Sequence, residues 1–401
     1  MKIKSYLQKF TSLETQAKTQ VFEIKIEGQK IQIFVNEFWT AKQRQASSIH
    51  EISYRACFKP QLPRFFIEVL TKENDIVYDP FGGRGTTAIE SGILNRKVIS
   101  NDVNPLSRIL TEPRFFIPTL EEVEKRLSEI NFDKKLKAEI DLSMFYDSKT
   151  ESEIASLKNH CKNSKNEIDK WIKMVATNRL TGHSKGFFSV YTLPPNQAVS
   201  PERQIKINKK LNQKPEYKNT QQIILKKTKT LINRLSESEK SNLGKAGLTV
   251  KFLNKDASLT KEIPPNSVQL TITSPPFLNI VQYSTDNWLR CWFNGIDENE
   301  IAKKITMSRT VEDWTEKMSK VFQELFRVTK KDGWVAFEVG EVRKGKINLD
   351  ETVVSIGLRA GFKCIGILIN SQKFTKTANI WGIKNNSFGT NSNRIVIFRK
   401  V

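Results

Sequence analysis

From about residue 64 to its end, the chain alternates between short apolar runs and longer amphipathic stretches. The apolar runs are rich in Val and Ile and little interrupted by charge, which is typical of buried strands in an α/β sheet. Seven of these runs lie at 75–79, 97–103, 248–254, 268–273, 333–339, 362–369 and 394–400. Helical periodicity separates several of them, for example over 86–95 and 312–328. The pattern predicts an α/β fold with one doubly wound, mostly parallel sheet of about seven strands.

The first 49 residues precede this alternation and have a pattern of their own. Apolar and polar residues alternate over 21–26 and again over 30–35, with Glu27 and Gly28 between the two runs. Period-two alternation on both sides of a glycine-containing turn is typical of a β-hairpin. We therefore predict an N-terminal extension, 1–49, that carries a small hairpin.

A long segment interrupts the alternation between the second and third predicted strands. Residues 118–245 are far longer than the ~2–6 residues of an ordinary strand-to-helix connection. Their first part has the periodicity of charged amphipathic helices. We predict that 118–245 is an inserted domain and that 50–117 and 246–401 together form the core that contains the sheet.

The charge balance suggests a polyanionic partner. The 401 residues include 65 Lys and Arg against 43 Asp and Glu, a net charge of +22. Part of the excess lies in the predicted insertion, where 201–250 contains 12 basic and four acidic residues. Nucleic acid is the first partner that such a balance suggests, ahead of an anionic membrane.

Other classes of protein are disfavoured by composition and spacing. No apolar run approaches the ~20 residues of a membrane span, and the start lacks a signal-peptide pattern. The four cysteines lie far apart, which fits neither a disulfide framework nor a metal site and favours a reducing cytoplasm. The three histidines are equally scattered. We expect a cytoplasmic protein with no metal and no membrane partner.

The first predicted strand runs into a glycine-rich turn and then a helix. The segment reads Asp79-Pro80-Phe81-Gly82-Gly83-Arg84-Gly85-Thr86-Thr87. Glycines allow the backbone to approach a ligand, and the start of the helix offers unpaired N–H groups. The second strand ends about twenty residues later at Asp102, where a carboxylate is placed to accept the two hydroxyl hydrogens of a ribose. The pattern predicts a cofactor site.

A second motif follows the strand at 268–273. It reads Ser274-Pro275-Pro276-Phe277. The two prolines stiffen the backbone and leave carbonyl acceptors without N–H donors. Together with one aromatic ring, such a loop suits a planar base with an exocyclic amino group, which can stack on the ring and donate to Ser274 and to the Pro275 carbonyl.

Together the two motifs resemble those of the DNA methyltransferases that methylate amino groups with S-adenosylmethionine. The resemblance implies a class I methyltransferase fold, which is Rossmann-like, over about 50–110 and 246–401. It also implies that Ser274, Pro275, Pro276 and Phe277 form the catalytic loop. The residues that it assigns to the cofactor are Tyr54, Phe58, Asp79, Phe81, Gly83, Gly85, Thr86, Thr87, Asp102 and Asp256.

The first residue of the catalytic loop indicates the target base. In this family Asp or Asn before the two prolines usually accompanies adenine N6, and Ser usually accompanies cytosine N4. Ser274 therefore favours N4 of cytosine over N6 of adenine. The C5 reaction would need a cysteine preceded by proline, and the chain has none. The position of the insertion departs from the commonest motif orders of the family.

The resemblance implies duplex DNA as a partner and a cognate restriction endonuclease as a functional companion. Arginine, asparagine and glutamine suit base edges, and lysine suits phosphates. We expect DNA contacts from the insertion and from the polar stretch 381–394. The candidates are Arg179, His183, Lys185, Arg203, Lys206, Lys209, Lys210, Lys226, Lys227, Asn391 and Arg394. Two other readings stay open at this point, an RNA base methyltransferase and a non-catalytic DNA-binding module.

Overall fold

The computed structural model describes most of the chain. The described residues are 3–40, 46–55, 57–133, 135–193, 199–276, 285–304, 308, 310–339, 341–342, 347–371 and 392–401. Everything that follows concerns these residues.

The strands of the described chain fall into one large sheet and one two-stranded ribbon. The strands of the sheet are β1 (Gln20–Ile26), β2 (Gln29–Asn36), β3 (Ile76–Asp79), β4 (Lys97–Asn101), β5 (Lys251–Leu253), β6 (Val268–Thr273), β7 (Thr329–Val339), β10 (Lys363–Ser371) and β11 (Ser392–Arg399). The ribbon pairs β8 (Glu341–Val342) with β9 (Ile347–Asn348).

The order of strands across the described sheet is β1-β2-β10-β11-β7-β6-β3-β4-β5. Strands β5, β4, β3, β6 and β7 run parallel to one another, and β11 runs antiparallel between β7 and β10. All seven predicted apolar runs form strands of this sheet, so the predicted mostly parallel α/β fold is confirmed. The strand order reverses between β3 and β6, where the carboxyl ends of two parallel strands open a crevice for ligands.

The predicted N-terminal hairpin is present, and it has a role that the sequence did not indicate. Glu27 and Gly28 both have positive φ, of 47° and 79°, the backbone that a two-residue hairpin turn requires. Strand β2 then pairs in parallel with β10, with Ile33 opposite Ile367. The hairpin therefore extends the sheet to nine strands among the described residues rather than standing apart.

Helices cover both faces of the sheet. They are α1 (Ile3–Lys9), α2 (Gln61–Leu70), α3 (Thr86–Ile93), α4 (Leu106–Thr111), α5 (Leu120–Glu129), α6 (Ser148–Cys161), α7 (Glu167–Arg179), α8 (Pro201–Leu211), α9 (Thr220–Ile232), α10 (Glu237–Gly247), α11 (Trp288–Asn294), α12 (Glu298–Lys304), α13 (Val311–Val328) and α14 (Leu349–Arg359). Short 3₁₀ turns lie at Ser48–His50, Glu112–Phe115 and Thr285–Asn287.

Neighbouring residues of β3 show how the two faces are filled. Val77 packs into a core that includes α1 and α2, whereas Tyr78 packs into a second core with α13 and α14. Both side chains are almost fully buried. Alternation of side chains along a strand thus gives each face its own layer of helices, as a doubly wound sheet requires.

Helices α5 to α7 lie in the first part of 118–245, where the periodicity predicts helices, and α8 to α10 follow them. These helices share one hydrophobic core with α3 and β4 of the sheet. Within that core, Trp171 of α7 is fully buried and donates its indole N–H to Thr228 of α9 at 3.0 Å. The Ser48 hydroxyl donates to the Leu231 carbonyl at 2.8 Å and fixes α9 against the chain that precedes the glycine loop. The inserted helices are therefore packed firmly against the edge of the core.

Candidate active site

The glycine loop links the end of β3 to the start of α3. Gly85 adopts φ of 75° at the cap of α3, and its N–H donates to the Gly82 carbonyl at 2.7 Å. Gly83 also has positive φ, of 51°. These left-handed conformations close the turn tightly, and they explain why glycine is needed at both positions.

Alanine substitutions at the two glycines are expected to destabilise the fold to different extents. A methyl group at Gly85 would lie 2.3 Å from Thr111 atoms, whereas at Gly83 the nearest atom is the Cys57 sulfur at 3.7 Å. We expect Gly85→Ala to lower the free energy of unfolding by about 2–4 kcal/mol, and Gly83→Ala by about 1–2 kcal/mol. Urea denaturation of both variants measures this difference. Equal losses would contradict the described loop.

Asp102 joins the tip of β4 to the glycine loop. Its carboxylate accepts the backbone N–H of Gly83 at 2.8 Å and that of Asn104 at 2.9 Å. Burial raises the pKa of Asp102 to about 6, although both hydrogen bonds act to lower it. Near neutral pH the group is therefore a carboxylate held by two backbone donors, with acceptor capacity left for further hydroxyl groups.

Asp79 connects the two sequence motifs. It ends β3, and its carboxylate accepts the Thr273 hydroxyl of β6 at 2.7 Å and the Phe81 N–H at 3.1 Å. Burial raises the pKa of Asp79 to about 6. Ser274 directly follows Thr273, so this hydrogen bond places the glycine loop and the proline loop side by side at the switch point of the sheet.

The buried side chain of Asn101 ties the loops after three strands together. Its amide donates to the Pro80 carbonyl at 3.1 Å and to the Lys255 carbonyl at 3.0 Å, and its oxygen accepts the Lys255 N–H at 3.0 Å. The sequence analysis missed this residue, although an asparagine at the end of a buried strand was a visible signal. Asn101 holds the loops that carry Phe81, Asp102 and Asp256 in one register.

A cavity of about 250 Å³ opens where these loops meet. Its lining brings together most of the residues assigned to the cofactor and the catalytic loop. They are Tyr54, Phe58, Asp79, Phe81, Gly83, Thr86, Asp102, Asp256, Ser274 and Pro276. Apolar side chains of α13, Met318 and Val321, close one wall.

Three assigned residues lie behind the lining, and one lies outside the described residues. Gly85 supports the turn against Thr111, and buried Thr87 donates its hydroxyl to the Ile272 carbonyl at 3.4 Å. Pro275 is buried. Phe277 belongs to 277–284, which the structure does not describe. Thus Gly85, Thr87 and Pro275 shape the cavity without facing it.

The proline loop is held from two sides. The Pro276 carbonyl accepts the indole N–H of Trp314 at 3.0 Å, and Trp314 is fully buried in α13. On the other side, the Ser274 side chain hydrogen-bonds to Glu338 of β7. The surrounding fold therefore fixes the loop at both Ser274 and Pro276.

Glu338 is a functional candidate that the sequence analysis missed. Its side chain is buried, accepts the Asn393 amide at 3.0 Å and hydrogen-bonds to Ser274. Burial raises the pKa of this carboxyl group above its usual value. The available signal was an acidic residue inside the apolar run 333–339. A buried carboxyl group with a raised pKa beside a ligand cavity is typical of a proton acceptor.

Arg84 of the glycine loop fixes the segment that supplies Tyr54 and Phe58. Its guanidinium donates to the carbonyls of His50 at 3.3 Å, Ile52 at 2.9 Å and Phe58 at 3.4 Å. Arg84 in turn offers its own carbonyl to the buried guanidinium of Arg114. The glycine loop and the preceding segment therefore form one wall of the cavity.

The residues predicted to contact DNA fall into two groups. On the exposed surface of the insertion lie His183, Lys185, Arg203, Lys206, Lys209, Lys210 and Lys226. His183 and Lys185 line an open cavity of about 300 Å³ together with Lys214 and Lys218. Asn391 lies outside the described residues.

The other three predicted DNA contacts are engaged within the fold. Arg394 pairs with the fully buried carboxylate of Asp350 at 2.7 Å, so it supports the sheet rather than lying in an open loop. Arg179 packs 4.0 Å from the ring centre of Phe187. Lys227, which is 10% exposed, pairs with Glu51 at 3.5 Å.

The described residues form neither a cluster of metal ligands nor a membrane-spanning helix. Among them, no group of three or more His, Cys, Asp and Glu side chains is placed to hold a metal ion. Within the same part of the chain, no helix is long and apolar enough to cross a membrane.

Sequence comparison agrees with the motifs in this site. A family model described as DNA methylase, of the N6/N4 type, matches residues 5–107, which include the glycine loop. The resemblance to amino-methylating DNA methyltransferases is confirmed. The chain is also 26% identical over 332 residues to the type II methyltransferase M.BsoBI of Geobacillus stearothermophilus. The match covers 73% of this chain and 64% of that relative's length.

The chain is also similar, at low sequence identity, to solved structures. An S-adenosylmethionine-dependent methyltransferase from Methanosarcina mazei is 11% identical, with a TM-score of 0.33 over 84% of this chain and 97% of its own. TrmN from Thermus thermophilus is 12% identical, with a TM-score of 0.34 over 90% of this chain and 53% of its own.

Proposed function

We propose that this protein is a site-specific DNA methyltransferase that transfers a methyl group from S-adenosylmethionine to N4 of cytosine. The observation that carries the proposal is the Thr273–Asp79 hydrogen bond, which joins the cofactor loop to the proline loop around one cavity. The match to the N6/N4 family model and the similarity to a type II methyltransferase support the same chemistry.

The cavity has the donors and acceptors that S-adenosylmethionine requires. Asp102 is placed to accept ribose hydroxyls, and Asp256 at the exposed rim is placed to accept from the adenine amino group. Phe81 and Val321 offer apolar surface, while Tyr54 and Phe58 close the methionine end. When bound, the sulfonium supplies an activated methyl group, which is transferred by direct displacement.

The proline loop would hold and deprotonate the target amino group. A Glu338 carboxylate accepts the Ser274 hydroxyl, which leaves the serine oxygen able to accept a hydrogen bond from an exocyclic N–H. As nitrogen gains the methyl group it must lose a proton. Ser274 can accept that proton while passing its own to the Glu338 carboxylate, so that the proton is retained in the site.

The target base must leave the duplex to reach this loop, because the loop lies inside a cavity. Extrusion costs a few kcal/mol, which contacts between basic residues and phosphates help to offset. We propose that the inserted helices make these contacts and read the sequence. We also propose that the protein protects DNA in a restriction–modification system, alongside a cognate endonuclease.

Methylation-resolved sequencing of DNA from cells that express the protein tests the proposal. We expect N4-methylcytosine in one short sequence. Exclusive N6-methyladenine would move the assignment to adenine, and activity on RNA alone would favour an RNA base methyltransferase. Absence of both methylation and S-adenosylmethionine binding would favour a non-catalytic DNA-binding module.

Charge reversal on α8 tests the proposed DNA face. Lys209 and Lys210 are exposed at the end of this helix. We expect Lys209→Glu with Lys210→Glu to weaken binding to duplex DNA and to reduce the slope of log affinity against log salt by about two. Fluorescence anisotropy over a salt series measures both. The same double reversal at exposed Lys25 and Lys30 of the N-terminal hairpin is the control, and an unchanged slope in the α8 variant would contradict phosphate contacts.

A further inference from the structure

A cluster of cations lies where the inserted helices meet the catalytic side of the molecule. Arg179 ends α7, Lys227 lies in α9 and Arg290 lies in α11. With the Glu51 carboxylate they form what we call the junction cluster. None of the four residues lines the cofactor cavity.

The junction cluster carries more positive than negative charge. The Glu51 carboxylate pairs with the Lys227 ammonium at 3.5 Å. The positive charge of Arg290 disfavours the charged form of Arg179, and the positive charge of Arg179 disfavours the charged form of Lys227. Burial and the charge of Arg290 lower the pKa of Arg179 to about 10, and burial and the charge of Arg179 lower that of Lys227 to about 8. Nearby Arg55 and Asp286 form an ion pair and cancel each other. Counting Arg179 and Lys227 against Glu51 leaves an excess of one positive charge among these largely buried groups.

The fold holds these cations rigidly. Arg179 donates to the backbone and side-chain oxygens of Asn178 at 2.9 and 2.8 Å and stacks on Phe187. Arg290 is 7% exposed and donates to Asn287 at 3.0 Å and to the Ser53 carbonyl at 3.1 Å. Flexible surface lysines lose side-chain entropy when they bind, whereas these groups are already ordered.

The junction cluster is connected to both functional parts of the molecule. The Ser53 carbonyl accepts the Asn178 amide of α7 at 3.0 Å as well as the Arg290 guanidinium of α11. Tyr54, the next residue, lines the cofactor cavity. Helix α11 begins at Trp288, a short distance along the chain from Pro276. The cluster is therefore hydrogen-bonded at Ser53 to the segment that carries cavity-lining Tyr54, and it joins that segment to α7 of the insertion.

We propose that the junction cluster binds a backbone phosphate of the DNA strand that carries the target base, close to the extruded nucleotide. This inference rests on the proposed function. A phosphodiester supplies one negative charge and two acceptor oxygens, which suits a preordered guanidinium beside an ammonium. Its charge would relieve the mutual repulsion of Arg179 and Lys227. Binding there would fix the extruded nucleotide over the proline loop.

Removal of a positive charge and removal of a negative charge from the junction cluster are expected to affect DNA binding differently. We expect Lys227→Gln to weaken binding of site-containing duplex DNA roughly tenfold at 0.1 M salt and to reduce the salt slope by about one. Glu51→Gln removes a negative charge and should leave DNA binding equal or tighter. Lys229→Gln, at an exposed position of the same helix, is the matched control. A merely structural ion pair would instead make Lys227→Gln and Glu51→Gln weaken binding alike, which would overturn the proposal.

Single methylphosphonate substitutions in the DNA locate the contact. Each one neutralises one phosphate, and we expect neutralisation beside the target base to weaken binding to the wild-type protein but not to Lys227→Gln. Identical profiles for the two proteins would overturn the inference. Failure of the wild-type protein to bind or methylate any duplex would instead reject the proposed function, so the two failures are distinguishable. Thermal unfolding and S-adenosylmethionine titration confirm that each variant is folded.

Discussion

Asp102→Ala is expected to weaken S-adenosylmethionine binding roughly 100-fold, because it removes the acceptor for two ribose hydroxyls. The same change removes the acceptor for the N–H groups of Gly83 and Asn104, which loosens the glycine loop. Isothermal titration calorimetry measures the affinity. Asp332→Ala, which removes an exposed carboxylate paired with Arg399, is the control and should bind the cofactor normally.

The affinity for S-adenosylmethionine is also expected to depend on pH, because Asp102 must be deprotonated to accept both ribose hydroxyls. The pKa of Asp102 is raised to about 6, so the carboxylate becomes protonated as the pH falls through that value and loses acceptor capacity. We expect wild-type affinity to be highest above pH 7 and to fall below pH 6. Asp79 titrates in the same range and is retained in the variant, where its pKa loses only the small increase that the Asp102 charge causes, so Asp102→Asn should flatten the part of the profile that Asp102 itself causes. An unchanged profile in Asp102→Asn would contradict its assigned role.

Glu338→Gln is expected to lower kcat roughly 100-fold while cofactor affinity stays within twofold of the wild type. Glutamine has the same shape and can still hydrogen-bond to Asn393 and Ser274, but it cannot accept the proton that Ser274 passes on. Single-turnover methyl transfer to duplex DNA measures the chemical step. Glu316→Gln on the exposed face of α13 is the control.

The raised pKa of Glu338 also predicts that the rate of methyl transfer falls at low pH. Its pKa is raised by burial, and the relay requires its deprotonated form. The wild-type rate should therefore fall as pH decreases through this raised pKa, whereas the residual rate of Glu338→Gln should lack that limb. A variant that keeps both the wild-type rate and the same limb would show that Ser274 acts without Glu338.

The apolar runs predicted the seven core strands because buried parallel strands need little beyond continuous Val- and Ile-rich sequence. The pairing of β2 with β10 was not predictable in the same way. It joins Ile33 to Ile367, and no local pattern records a contact between residues so far apart in the chain. The insertion was predictable from its length. The hydrophobic core that it shares with α3 was not, because that core also depends on contacts between distant parts of the chain.

Some residues of the candidate site were predictable from the sequence, and others were not. Asp79, Asp102 and Ser274 stand at strand ends within recognisable motifs, and the structure places all three at one cavity. Asn101, Arg84 and Glu338 act through hydrogen bonds to other loops, so spacing in the sequence gives them no signature. Arg394 was predicted to contact DNA because it is a basic residue in a polar stretch, but in the structure it pairs with buried Asp350.

Nucleoside mass spectrometry of duplex DNA, after incubation with the purified protein and S-adenosylmethionine, tests the central claim most directly. Because Ser274 precedes the two prolines, we expect N4-methylcytosine as the product, and we expect its loss in both Asp102→Ala and Ser274→Ala. N6-methyladenine as the sole product, or no methylated base although the cofactor binds, would contradict the account.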